Sequence, residues 1–446
     1  MNRNRRGWYW AAVVMGALAV VAASAGAAAL FHAALLRSVP APNAKLKDEP
    51  KEIRLVFSEE VVPSLSQITL VGPLNDSATL KVTNDPHNVH ILLGAIPQSQ
   101  GPRAGGIYKV AWRVISADGH PVDGDFSFSL AGPQIAAPTV MLPANSALVR
   151  SIAEEDKRRT EELPVLAAAL RGIGLVAIMA AVGLLFFGVT AHDVDITPSP
   201  KTVFRLTALG AAFLVLHLVA WLDHITPTFA SPGAFYVSAL SSKLGLIELI
   251  RTLFAIAMLV YVSFTAHNRI ALSIGVACLI VSGAVGHSAA IHPLYAVPTK
   301  SIHLLAGAVW LGGLLWILRT APLDRDTHQR EALRVSSMAL ISVIAILATG
   351  FLQSWMFLNS LGDLVHSNYG RLIIAKVVGL LILIGYGVYN RYSLLPAFAL
   401  GGSVKLRRSV KQEIFFICVL AVIGGFLAYV PTPPPASATS VTQGAQ

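Results

Sequence analysis

Residues 106–130 read GIYKVAWRVISADGHPVDGDFSFSL. Tyr108, Val110, Trp112 and Val114 occupy every second position, and so do Phe126, Phe128 and Leu130. Successive side chains on a strand point to opposite faces, so a period of two predicts two half-buried strands. Between them, SADGHP carries an acid and an imidazole two residues apart, Asp118 and His120. On an extended backbone the two share a face and can converge on one ion. DGHP is equally good turn chemistry, with Gly for an unusual φ and Pro to stop a strand. Working outward, EIRLVFS at 52–58 alternates Ile53, Leu55 and Phe57. Such runs, separated by Gly, Pro, Asn and Asp, predict a small all-β sandwich or barrel over residues 32–132.

The rest of the chain is of a different kind. Its 446 residues are 54% hydrophobic and 13% charged, against about 25% charged in an ordinary soluble domain. Eight apolar segments have spanning length, at roughly 163–190, 203–222, 244–266, 270–290, 301–318, 335–358, 371–390 and 413–430. Each can satisfy its backbone in lipid only as a helix, so residues 163–430 read as a polytopic membrane domain. The net charge of +10 has no basic patch interleaved with aromatics, which argues against a nucleic-acid partner. Lys and Arg gather instead in alternate loops, as the positive-inside bias requires. That bias, and the Arg-rich head MNRNRR before the apolar run Trp8 to Phe31, place the β-domain and the C-terminal tail outside the cytoplasmic membrane. Residues 1–31 read equally as a signal peptide and as a retained anchor. Residues 133–162 form a linker ending in EEDKRRTEE, and residues 431–446 a disordered tail. Cys278 and Cys418 both lie in apolar runs, so neither a disulfide framework nor a thiolate zinc site is expected. There is no GxxxxGK[ST] motif and no catalytic constellation. The chain reads as a non-enzyme without a nucleotide motor of its own.

The thirteen histidines sort by side. His192, His267 and His328 fall at inner loops. His32, His87, His90 and His120 belong to the β-domain. His217, His224, His287, His292, His303 and His366 fall in the outer half of the membrane domain or its outer loops. Met356 lies near the outer end of its segment. Histidine within a span is costly and is a functional hypothesis by default. The stretch GAVGHSAAIHPLYAVPTKSIHLLAGAVWLGGLLW (283–316) ends one helix near His287 and starts the next near His303, with His292 between. An antiparallel pair brings His287 and His303 to similar depth, and His217 can join them. Imidazole and thioether suit copper, thioether favouring Cu(I). Asp118 with His120 is a harder pair, suited to Cu(II) or Zn(II).

HAALLRSVPAPNAKLKDEPKEIRLVFSEEV (32–61), with the stretch quoted first, resembles the copper-binding CopC family. GHSAA, SIHLLAGAVWLGGLLW and NYGRLIIAKVVGLLILIGYGVYNR resemble CopD, the membrane partner in copper resistance and uptake systems. Together the resemblance spans about residues 32–430, with SADGHPV and H-x6-WLGG its most specific pieces. It implies a multi-domain membrane protein, a CopC–CopD fusion. An N-terminal Ig-like or cupredoxin-like β-sandwich would precede a CopD-like domain of eight helices. It implies that His32, Asp118 and His120 bind Cu(II), His32 through its ring and a free amine at the mature N-terminus, with Glu59 of FSEE a weaker contributor. Phe31 is a poor residue to cleave after, and the Met-rich loop of some CopC proteins is missing, Met141 lying in the linker. One copper site is therefore expected in the β-domain. In the membrane domain, depth and chemistry select His217, His287, His303, Met356 and His292 as ligands for Cu(I) or Cu(II). Trp310, Gly312 and Gly313 read as packing residues, and Asn390 and Arg391 as an anchor at the inner end of a helix. The function expected is capture of Cu(II) outside and passage inward, the partners being copper, the bilayer and a periplasmic or extracellular copper chaperone. A haem-containing electron-transfer protein or cupric reductase, and a copper buffer or sensor without transport, are the competing expectations.

Overall fold

Alternation decides the first unit. In the computed structural model, strand Glu52–Phe57 (β3) buries Ile53, Leu55 and Phe57 and turns the residues between them outward. The structure describes residues 33–132 apart from 75, 98–103 and 118. It also describes 164–433 apart from 192–196, 228–231, 265–267, 287–292, 322, 398–401 and 431. Packing divides the described chain into two units, 33–132 with 222–246, and 164–221 with 247–433.

The β-domain adds Leu35–Val39 (β1), Lys45–Leu46 (β2), Gln67–Val71 (β4), Ser77–Asp85 (β5), Asn88–Ala95 (β6), Gly106–Ile115 (β7) and Pro121–Leu130 (β8). The strand order is β1-β3-β6-β5-β4-β7-β8-β2. β5 is shared between two sheets: Ser77 to Leu80 pair with β4, and Lys81 to Asp85 with β6. All pairings are antiparallel except β2 with β8. The alternating residues named above meet inside, where Phe57 stands edge-on to Trp112 and Tyr108 stacks on Phe128. Trp112 pairs in register with Gly124, and a Cβ at Gly124 would overlap the indole. Gly124→Val is therefore expected to destabilise a fragment of residues 32–132 by about 1–3 kcal/mol, the usual cost of overpacking. Urea denaturation measures it.

The helical part comprises Val165–Thr190 (α1), Pro200–Ile225 (α2), Pro232–Ser241 (α3), Lys243–Phe264 (α4), Asn268–Gly283 (α5) and Pro293–Thr320 (α6). It continues with Arg325–Phe357 (α7), Asp363–His366 (α8), Asn368–Tyr389 (α9) and Gly402–Leu427 (α10). Seven are long and apolar enough to cross a membrane, α9 counted with its π-helical extension to Leu394, and α5 is shorter. These are the eight apolar segments, with corrections at their ends: α6 starts at Pro293 and α7 at Arg325, before 301 and 335. α5 ends at Gly283 instead of 290 and has 16 residues, about 24 Å of helix against about 30 Å of hydrocarbon. α10 starts at Gly402, well before 413, because its first turns carry polar residues that hydropathy discounts.

α1 lies at the centre, with most of its length buried. Its glycines set the crossings. A Cβ at Gly183 would overlap the Ala308 carbonyl of α6 and sit 2.7 Å from the Gly312 Cα, and Gly312 meets the Gly183 backbone in return. At the other end, a Cβ at Gly425 of α10 would lie 2.8 Å from the Gly172 Cα. Small residues at both crossings let backbones touch, which is how helices associate where no hydrophobic force separates lipid from protein.

Candidate functional site

The described β-domain candidates, Glu59 and His120, lie along one seam. Two residues before β1, Ala33 is fully buried with φ of 38°, and its N–H donates to Glu59 Oε1 at 2.6 Å. The Ala34 N–H donates to Ser58 Oγ, and the Ser58 N–H donates to the Ala34 carbonyl, both at 2.9 Å. The same segment then pairs with the β7–β8 hairpin. Val61 bridges Ser116, the Ala117 N–H donates to the Glu60 carbonyl at 2.9 Å, and the Val62 N–H donates to the Ile115 carbonyl at 2.8 Å. Residues 58–62 thus hold the start of β1 and the hairpin loop at one end of the sandwich. His120 closes that loop and is buried.

The loop corrects one expectation. The Ser116 N–H donates to the His120 carbonyl and the Gly119 N–H to the Ser116 carbonyl, both at 2.9 Å, and Gly119 has φ of 95°. The chain therefore turns at Gly119, a glycine in the left-handed region, just before His120. The turn reading of DGHP holds, and the i, i+2 argument for a shared face does not. Asp118, His32, His287 and His292 lie outside the described residues. His87 and His90 sit at the β5–β6 turn, each N–H donating to the side chain two residues before it.

In the membrane domain the described candidates do not converge. Among the described residues no three His, Cys, Asp or Glu side chains form a metal cluster. His303 Nδ1 lies 2.9 Å from Thr349 Oγ1, whose hydroxyl donates to the Ala345 carbonyl at 2.6 Å. Thr349 therefore accepts from Nδ1–H, and the network assigns the lone pair to Nε2, the nitrogen a metal would use. Met356 is seven residues beyond Thr349 on α7, about 10 Å along the axis. His217 is fully buried elsewhere, with Nδ1 2.9 Å from the Ala167 carbonyl and Nε2 3.5 Å from Glu248 Oε2.

Around His217 the structure collects residues that sorting histidines and methionines overlooked. Glu248 pairs with Arg251 one turn along α4. Arg171 Nη2 reaches the Val285 carbonyl at 3.5 Å, Lys300 Nζ donates to the same oxygen at 2.5 Å, and the Tyr429 hydroxyl lies 3.4 Å from His217 Nδ1. The signal was in the sequence: LRGIG and IELIRTL place charges inside apolar segments, and Glu248 and Arg251 share a helix face at i, i+3. A second buried group also emerges. Trp310 Nε1 and Asn390 Nδ2 each donate to the Glu413 carboxylate at 2.9 Å. Trp310 therefore binds a carboxylate as well as packing, and Asn390 is buried against Glu413 instead of anchoring at an interface. Gly312 and Gly313 do pack, the latter against Val335 and Phe187. His328, expected in a loop, is buried on α7 with Nδ1 3.1 Å from Thr320 Oγ1. His366 lies on the short helix α8.

The CopC domain family matches residues 35–131, and the Copper resistance protein D family matches residues 329–427. The Copper transport protein CutJ of Bacillus subtilis (strain 168) is 24% identical over 368 residues, 77% of this chain. The chain spans 65% of that relative's length. Copper resistance protein C of Xanthomonas campestris pv. juglandis is 34% identical over 124 residues, covering 25% of this chain and 89% of that protein. Inner membrane protein YebZ of Escherichia coli (strain K12) is 25% identical over 255 residues, 51% of this chain and 84% of that protein. The chain therefore belongs to the CopC family and joins a CopC domain and a CopD domain in one polypeptide.

Proposed function

We propose that the chain captures Cu(II) with its CopC domain outside the cytoplasmic membrane and passes copper inward through the helical domain. One observation carries the capture step. The seam at 58–62 binds the first residue after His32 through Glu59 and holds the hairpin that bears Asp118 and His120. His32, Asp118 and His120 then supply imidazole and carboxylate donors, a set suited to Cu(II). Glu59 accepts the Ala33 N–H through one carboxylate oxygen, and so positions the N-terminal ligand. The copper names of the CopC, CopD and CutJ relatives support the choice of metal.

For the helical domain we assign the receiving position to His303 Nε2 with His287, and not to His217, whose two ring nitrogens already face the Ala167 carbonyl and the Glu248 carboxylate. Met356 and His292 are not needed in this reading. Inward movement of a cation is favoured by about 2.3 kcal/mol per charge per 100 mV of negative interior, so no motor is required. A periplasmic or extracellular chaperone is the natural donor to the outer site. Radioactive copper uptake into cells with and without the gene tests the direction. Uptake is expected to fall on deletion, and equal uptake or greater accumulation would contradict import.

A further inference from the structure

We propose that the helical domain binds a small monovalent inorganic anion, of the chemistry of chloride, between Arg171, Arg251 and Lys300. Arg251 and Arg171 are buried, and Arg251 is completely so. A guanidinium cannot be discharged in a protein. Arg171, Arg251 and Lys300 act on one another here, Lys376 acts on Lys300 as well, and Glu248 is the carboxylate among them. Even with His217 counted as neutral, at least two positive charges remain uncompensated. Discharging Lys300 would still leave one. A buried charge without a counter-charge costs several kcal/mol in a protein interior, and more at membrane depth. The hydrogen-bond count points the same way. Among the described residues, Arg251 Nε and Nη1 are buried and find no acceptor. Five donors on a planar fork with one carboxylate partner leave a face suited to an acceptor-only ligand. The depth of burial favours an ion of one or a few atoms over a lipid headgroup.

The cluster sits beside the proposed copper path. Arg171 and Lys300 both hold the Val285 carbonyl, two residues before His287, and Lys300 lies three residues before His303 on α6. A bound anion would cancel the repulsion these cations exert on an arriving copper ion. That consequence rests on the reading given above, whereas anion binding itself does not.

The test uses the purified full-length chain in detergent, without copper. Chloride titrated against gluconate at constant ionic strength is expected to raise the melting temperature saturably. Arg251→Gln is expected to weaken the midpoint about tenfold or more, the loss of one charge-assisted contact. Glu248→Gln is expected to tighten it. Should the Arg251 variant fail to fold, wild-type crystals in bromide decide, with anomalous density expected against the Arg251 guanidinium. Identical melting in chloride and gluconate, or bromide bound elsewhere only, overturns the proposal. Equal midpoints for wild type and Arg251→Gln overturn its placement. An anion effect without copper uptake leaves the site standing and removes the transport reading alone.

Discussion

His120→Ala in a fragment of residues 32–132 is expected to weaken Cu(II) binding by more than about 100-fold, since losing even an outer-shell partner of a metal ligand costs up to that much. The fragment should fold, because it has its own core and a relative covered over 89% of its length matches little more than this part. The imidazole is buried at the end of a hairpin whose loop is fixed by its own backbone bonds. Truncation therefore removes a ligand without releasing the loop. Asp118→Ala is expected to weaken binding less, and one extra residue ahead of His32 to weaken it if the free amine coordinates. Isothermal titration with a competing chelator reads the affinities, and circular dichroism checks the fold. An affinity unchanged in His120→Ala removes the capture site.

Gly183→Leu should abolish the folded helical domain. The position faces the Ala308 carbonyl and the Gly312 Cα with no room for a Cβ, and both neighbours are backbone atoms that cannot rotate away. Overpacking typically costs about 1–3 kcal/mol, and here four heavy atoms must enter a backbone-to-backbone contact, so the cost lies at or beyond the top of that range. Gly385→Ala on α9 is the control, because a Cβ there meets nothing within 4 Å. It should be neutral or stabilising by roughly 0.5–1 kcal/mol through helix propensity alone. Size-exclusion profiles and melting in detergent compare the two. A monodisperse, normally melting Gly183→Leu protein would show that the α1–α6 crossing is not close.

Periodicity revealed the architecture because both periods are strong in this chain. Ile53, Leu55 and Phe57, and Tyr108 through Val114, alternate without a break, and they form the β-core. Apolar length likewise located the helices but missed some of their ends: α5 stops short, α6 starts earlier, and the polar starts of α7 and α10 mask their first turns. The sites were less legible. Proximity in sequence suggested Asp118 and His120 as strand neighbours, but Gly119 makes the turn. The seam that joins Glu59 to Ala33 and Glu60 to Ala117 spans 26 and 57 positions, and no local pattern announces such pairings. In the membrane domain, depth alone grouped His217 with His303, although helix rotation gives one Glu248 and the other Thr349 as partner. Arg171 and Arg251 are not metal ligands, so ligand chemistry does not single out the cluster they form with Glu248. Their cost in an apolar segment was the better guide.

The most direct test of copper passage is reconstitution of the full chain into proteoliposomes enclosing a copper-sensitive dye, with the interior held negative. Dye response is expected on adding copper outside, growing with the potential and lost in His120→Ala or His303→Ala. A dye response that never exceeds that of protein-free vesicles, while the β-domain still binds copper, would contradict transport and leave a copper store in its place.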